Sequence, residues 1–216
     1  MPHKKQSKKK NWLIPSKWGG LWQFLWEDNS LLSWVVNVLL AFILIKFLLY
    51  PGLGLMFATD YPIVAVVSSS MEHPQGSDFW WDTQAICNKQ YCTQEEYYSK
   101  IEETSKSEFK EYPFSSGFNK GDIMVLAGEK PKDIKKGDVL VFKSNRADPI
   151  IHRVMEIWYE DDSYHYRTKG DNNPRSYPEI METDISDDRI VGKAVFRVPY
   201  LGWVKLAFVG IINVFR

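Results

Sequence analysis

The chain has 216 residues, with 27 basic and 27 acidic side chains. That length allows one globular domain plus a shorter segment, and the balanced charge gives no general affinity for nucleic acid. Two cysteines, Cys87 and Cys92, make neither a disulfide framework nor a four-ligand zinc site, so no metal or cofactor is expected.

The charge is unevenly spread. Lys4, Lys5, Lys8, Lys9, Lys10 and Lys17 all precede the first acidic residue, Glu27. Trp12, Trp18, Trp22, Trp26 and Trp34 crowd the same region, and Trp favours membrane interfaces because its ring is apolar while its N–H wants a polar partner. Residues 1–30 therefore read as a basic, Trp-rich segment. Trp18, Trp22 and Trp26 recur every fourth residue, which fits a short interfacial helix or, equally, a disordered basic tail.

Residues 31–50, LLSWVVNVLLAFILIKFLLY, are interrupted only by Ser33, Asn37 and Lys46. About 20 apolar residues cross roughly 30 Å of hydrocarbon, so this segment reads as a membrane anchor in contact with lipid. Lys46 lies near its far end, where a long stem can carry the ammonium to the headgroups. Pro51-Gly52 is expected to end the helix. A cleaved signal would have a shorter apolar core and a small-x-small site, which LGLMFATD does not supply. The lysines before the anchor place the N-terminus in the cytoplasm and the rest outside.

Residues 51–198 read as an extracytoplasmic, mainly β domain: a small antiparallel sheet with a partly helical insertion at 72–120. Strands are expected at Tyr61–Val67, Asp122–Leu126, Asp138–Lys143, Ile150–Tyr159, Ser163–Thr168 and Ile190–Val198. They are β-branched or aromatic runs punctuated by glycine. Within the insertion, Gln94–Phe109 has the composition of one helix. Cys87 and Cys92 just before it leave a local disulfide open. Residues 199–216 are apolar but short and broken by Lys205, a tail that lies on the membrane rather than crossing it.

Three segments carry side chains suited to chemistry. Of the four histidines, His3, His73, His152 and His165, His3 lies in the cytoplasmic tail and His152 sits in the apolar strand PIIHRVMEI. Ser68-Ser69-Ser70-Met71 ends the first strand after the anchor, and Thr168-Lys169-Gly170-Asp171-Asn172-Asn173-Pro174 is a tight turn after a later strand. Alone, each has an ordinary structural explanation: a core histidine, a serine-rich turn, an Asx turn.

Together and in order, they resemble the signal peptidase I family of serine peptidases. VVSSSMEHP is similar to its nucleophile box, GDVLVF with IIHRV to the strand pair carrying the base, TKGDNNP to its acidic box, and GKAVFRVPYLG to its closing strand. His152-Arg153-Val154 resembles the archaeal and endoplasmic-reticulum branch, whose base is His rather than Lys, and the insertion looks more archaeal than eukaryotic.

The resemblance implies Ser70 as nucleophile, His152 as its base, Asp171 as the acid and Ser68 as an oxyanion donor. It also implies signal-peptide-bearing precursors as substrates, selection of small side chains at the cleavage site, and the secretion translocon as a partner. Two positions depart from the pattern. Ser69 replaces the usual Gly, and Tyr177 stands where the family often has a second aspartate. Asp184, Asp187 and Asp188 are the alternative acids. A non-catalytic, membrane-anchored binding protein on the same scaffold is the competing reading.

Overall fold

The computed structural model describes residues 16–203, and the chain divides into two compact units, residues 1–51 and 52–216. The lysine cluster at residues 4–10 and most of the apolar tail expected at 199–216 lie outside the described residues.

In the first unit, helix α1 (Ser16–Trp26) is followed by α2 (Leu31–Leu44). The Ser30 hydroxyl caps α2 by accepting from the Ser33 N–H, satisfying one of the N–H groups a helix start leaves unpaired. The helix does not end at Pro51-Gly52 as expected. It passes through a π-helical stretch, Ile45–Leu49, and continues as α3 (Tyr50–Phe57). Proline inside a helix removes one N–H and drives its ring against the preceding turn. Here the turn before it is widened, with the Tyr50 N–H bonded to the Ile45 carbonyl five residues back, and such a bulge makes room for the ring. Leu31–Phe57 is thus one 27-residue helix containing an 18-residue stretch of mean hydropathy 2.4, long and apolar enough to cross a membrane.

The second unit is built on a seven-stranded sheet. Its strands are β1 (Ile63–Ala65), β4 (Ile123–Ala127), β5 (Val139–Phe142), β6 (Ile150–Glu160), β7 (Ser163–Lys169), β8 (Ile185–Ser186) and β9 (Ile190–Val198). In space they run β1-β4-β9-β5-β6-β7-β8, every neighbour pair antiparallel. All six expected strands are present within a few residues of their predicted ends; only the two-residue β8 has no counterpart among them.

β5 is the centre of the sheet and is buried on both faces. Successive side chains on a strand point to opposite faces. Val139 and Val141 therefore enter one core with Met71, Met124 and Leu126, while Leu140 and Phe142 enter another with Val154, Tyr166 and Ile185. The two cores fix the register of β5 against β6, where Leu140 lies opposite His152, because a one-residue slip would exchange the two faces.

The insertion is a separate aromatic layer. It contains a short helix, α4 (Ser77–Trp80), a hairpin of β2 (Gln84–Cys87) and β3 (Gln90–Thr93), and helices α5 (Gln94–Lys100) and α6 (Lys106–Lys110). The single helix expected over Gln94–Phe109 is therefore two. Thr93 and Glu96 close a capping box at the start of α5, and the Ser105 hydroxyl caps α6 separately. Between the helices Glu103 takes a left-handed backbone (φ 49°). Glu102 is buried there and accepts both arms of the Arg167 guanidinium. That tertiary ion pair overrides a helix-favouring composition. Trp80, Trp81, Tyr98 and Phe109 then pack as tilted and edge-to-face rings.

Cys87 and Cys92 are joined as a disulfide across the β2–β3 turn. The hairpin leans on the loop after β7, with the Ile86 N–H donating to the Pro174 carbonyl at 3.0 Å. A cross-link of sequence separation 5 constrains the unfolded chain by about 2 kcal/mol. Replacing both cysteines with serine is therefore expected to lower stability by that amount and to open the hairpin first. Urea unfolding and limited proteolysis at the 88–91 turn are the measurements; an unchanged midpoint would remove the disulfide from the stability of the insertion.

Candidate active site

β1 delivers its chain into a turn at Ser68–Met71, and the Met71 side chain is buried beneath it. The turn is closed by the Glu72 N–H donating to the Ser69 carbonyl at 3.1 Å. Ser70 is half-buried and Ser68 exposed, with their hydroxyl oxygens 3.1 Å apart. Ser69 is not among the residues with positive φ, so the serine that replaces glycine needs no left-handed backbone.

His152 comes from β6. Its Nε2 lies 3.0 Å from the Ser70 hydroxyl, and its ring is almost wholly buried, 3% exposed. The other ring nitrogen, Nδ1, pairs with the carboxylate of Glu182. Glu182 itself has no exposed surface. One of its oxygens accepts the Tyr177 N–H at 2.7 Å, and the other also faces the Thr168 hydroxyl at 3.3 Å. Its carbonyl accepts the Thr168 N–H, extending the edge of β7. Ser70, His152 and Glu182 thus stand in a line of hydrogen bonds, supplied by the turn after β1, by β6 and by the loop before β8.

Asp171, expected as the acid, is elsewhere. Its carboxylate accepts two bonds from the Arg153 guanidinium, at 2.8 and 2.7 Å, one from His73 Nε2 at 3.0 Å, and a longer one from the Tyr98 hydroxyl. The reason is strand geometry. Arg153 follows His152 on β6, so the two side chains leave the strand on opposite faces. The turn carrying Asp171 puts its carboxylate on the Arg153 side. Arg153 also donates to the carbonyls of Pro113, Phe114 and Gly137 and lies over the Phe109 ring, so the pair belongs to the interface with the insertion. His73 completes it, stacked on Trp80 with ring centroids 3.9 Å apart.

The same turn still reaches the Ser69–Ser70 segment through its backbone and amide. The Asn172 N–H donates to the Ser70 carbonyl at 2.8 Å, and the Asn172 side-chain amide to the Ser69 carbonyl at 3.2 Å. Gly170 passes so near that an added Cβ would lie 2.8 Å from His152 Nε2 and 2.9 Å from the Ser70 carbonyl oxygen. Asp184, Asp187 and Asp188 are not at the imidazole either. Asp184 pairs with His165, Asp188 accepts the Ser186 hydroxyl, and Asp187 opens a short 3₁₀ turn.

The family pattern that the sequence resembles points to aspartates for the second acid, and Glu182 is a glutamate outside that pattern. A signal was present: Tyr177 through Glu182 contains two acids, Glu179 and Glu182, behind a proline turn. In the structure, the backbone N–H of Tyr177, at the position of the absent aspartate, anchors the Glu182 carboxylate. Met181, in a left-handed conformation (φ 57°), turns the chain back to bring it there.

Comparison with known proteins finds similar chains of one kind. The chain is similar to the signal peptidase complex catalytic subunit SEC11C of Homo sapiens, 32% identical over 94 residues, covering 41% of this chain and 49% of that protein. It is 33% identical over 94 residues to the catalytic subunit sec11 of Dictyostelium discoideum, covering 41% and 52%. Against SEC11 of Schizophyllum commune it is 25% identical over 181 residues, covering 74% of this chain and 71% of the relative. These relatives are catalytic subunits of the signal peptidase complex, and the chain resembles the endoplasmic-reticulum branch of the signal peptidase I family over part of its length. It spans about half the length of the mammalian curated relatives it matches. No family model matches the chain.

The buried charges around this site are matched rather than tolerated. Burial alone would push the Asp171 carboxyl up. The field of Arg153 and the bonds from His73 and Arg153 outweigh it, holding the group well below the usual carboxylate range. Lys169 is the converse: burial pushes its ammonium down to about 8, although it donates to Gln94 and to the Gly170 and Asp171 carbonyls.

A carboxyl depressed on folding stabilises the protein above its unfolded value, near 4, and that contribution is lost as pH falls toward the folded value. Asp171→Asn is therefore expected to cost about 3–5 kcal/mol near neutral pH, by leaving Arg153 charged and unpaired. It should also flatten the fall of stability below about pH 4. Urea unfolding across the acid range measures both; a variant as stable as the parent would show that Asp171 is not the partner that neutralises Arg153.

Proposed function

We propose that this chain is a membrane-anchored serine endopeptidase that removes signal peptides from secreted precursors, with Ser70 as nucleophile, His152 as general base and Glu182 as the acid behind it. The observation that carries the reading is the alignment of the Ser70 hydroxyl 3.0 Å from His152 Nε2, with a fully buried carboxylate on Nδ1 of the same ring.

A serine hydroxyl is a poor nucleophile until a base takes its proton. Glu182, accepting from Nδ1–H, fixes the tautomer that leaves Nε2 free to do so, and its charge stabilises the imidazolium that forms. The Ser70 oxygen then attacks the scissile carbonyl carbon, and the carbonyl π electrons move onto oxygen. The Ser70 backbone N–H and the Ser68 hydroxyl are the donors at hand for that oxyanion, where one such donor contributes about 3–4 kcal/mol. As the C–N bond breaks, the proton on Nε2 passes to the leaving amine. Water, deprotonated by the same nitrogen, then releases the acyl group from Ser70.

The SEC11 relatives, described as catalytic subunits of a signal peptidase complex, support the substrate class and suggest partner subunits for this chain. The helix Leu31–Phe57 supports a membrane location. The lysines before it favour a cytoplasmic N-terminus and an extracytoplasmic second unit.

Purified full-length protein in detergent, given a signal-bearing precursor, is expected to yield one new N-terminus. Ser70→Ala and His152→Ala should each abolish the product while leaving the protein folded. Glu182→Gln keeps the shape but removes the charge, a change that in a serine-protease triad costs about 10⁴ in rate. Its kcat is expected to fall by that order, with KM little changed. A mild Glu182→Gln effect would remove Glu182 from the mechanism, and an active Ser70→Ala variant would sink the peptidase reading itself.

A further inference from the structure

Two polar residues, Ser33 and Asn37, interrupt the first turns of the apolar helix. Polar groups in a membrane helix are costly and are kept where they find a partner. Both find one on α1. The Ser33 hydroxyl donates to the Phe24 carbonyl at 2.5 Å, and the Asn37 amide to the Leu25 carbonyl at 2.8 Å. Those carbonyls belong to the last turn of α1, where a helix has no N–H groups of its own to satisfy them. In water they need no help. In hydrocarbon each unpaired carbonyl costs several kcal/mol. The clip is thus chemistry suited to a helix end held below the headgroups.

Depth follows from the spacing. Ser33 and Asn37 lie about 3 and 9 Å along the helix from Leu31 at 1.5 Å per residue. An amphipathic helix lying in a bilayer interface buries its apolar face by roughly 5–10 Å, so the end of α1 sits at interfacial depth. On α1 itself Leu21, Trp22 and Trp26 are exposed, 51%, 54% and 71%, and the two indole rings lie 5.4 Å apart. Indole is the side chain that prefers this depth. The six lysines before Glu27 complement anionic headgroups on the same side.

We propose that α1 is a re-entrant interfacial helix: Trp22 and Trp26 are seated among lipid headgroups and acyl chains, and Ser33 and Asn37 clip the end of α1 to the anchor beneath the membrane surface. The occupant of the exposed tryptophan face is the bilayer. This rests on Leu31–Phe57 crossing the membrane, and it leaves the chemistry at Ser70 unchanged.

The test uses the full-length chain in phosphatidylcholine–phosphatidylglycerol vesicles, with nitroxides on single introduced thiols, Cys87 and Cys92 being joined to each other. Labels at Leu39→Cys, Trp22→Cys and Ser7→Cys report the span, the helix and the aqueous tail. At Leu39 and Trp22 the label is expected to collide with oxygen in preference to a water-soluble nickel chelate, and at Ser7 the reverse. Leu21→Cys repeats the measurement with Trp22 in place. Combining Ser33→Ala and Asn37→Leu should raise chelate access at position 22 several-fold while leaving position 39 unchanged. A label at positions 22 and 21 as open to the chelate as at Ser7, with Leu39 protected, would overturn the proposal and assign the face to a protein partner. An unchanged depth at position 22 in the double variant would overturn the clip. An exposed Leu39 label would instead defeat the span.

Discussion

His152 and Arg153 are neighbours on one strand, and the period-2 geometry of that strand sends them to opposite faces. Everything near the candidate site is arranged around this division. On one face stand the hydroxyl of Ser70 and the carboxylate of Glu182, one at each nitrogen of the imidazole. On the other, Arg153 donates to Asp171 and to three carbonyls, two from the insertion and one from the turn before β5. The register of β5 against β6 holds the division in place, because a slip of one residue would present a guanidinium to the Ser70 hydroxyl.

Two acids with similar chemistry therefore do different work. Asp171 faces a permanent cation and stays ionised well below the ordinary carboxylate range. Its charge is spent on making a buried guanidinium tolerable. Glu182 instead holds the Nδ1 of His152, the Tyr177 N–H and the Thr168 hydroxyl. A carboxylate committed to Arg153 has little charge left to offer an imidazole, since the guanidinium already compensates it. The separation of roles follows from which face each acid reaches, not from the acids themselves.

Much of this was readable in the sequence, and the parts that were not share a cause. Strand positions were legible because β-branched runs bounded by glycine carry local information, as at Ile150–Glu160 and Ile190–Val198. The meeting of Ser70 with His152 was legible because motif order survives in the chain. The carboxylate at the imidazole was not, since Asp171 and Glu182 lie 11 residues apart in sequence and on opposite faces in space, a distinction only pairing of β6 with β7 creates. The break between α5 and α6 depends on Arg167, 65 residues from its partner Glu102. The helix running through Pro51 depends on a widened turn that no propensity scale encodes.

The insertion gains a meaning from the same geometry. It looks like an appendage, interrupting the sheet's sequence between β1 and β4 with an aromatic core of its own. Yet His73, Tyr98 and the carbonyls of Pro113 and Phe114 all come from it, and each is bonded to Arg153 or Asp171. Gln94 reaches further, donating to the Asn173 carbonyl and accepting from Lys169. The loop so held is the one whose Asn172 grips the Ser69 and Ser70 carbonyls. Loosening the insertion would therefore free the turn that holds the Ser69 and Ser70 carbonyls without touching Ser70, His152 or Glu182. A segment that reads as decoration in the sequence is, by its hydrogen bonds, the outer wall of the site.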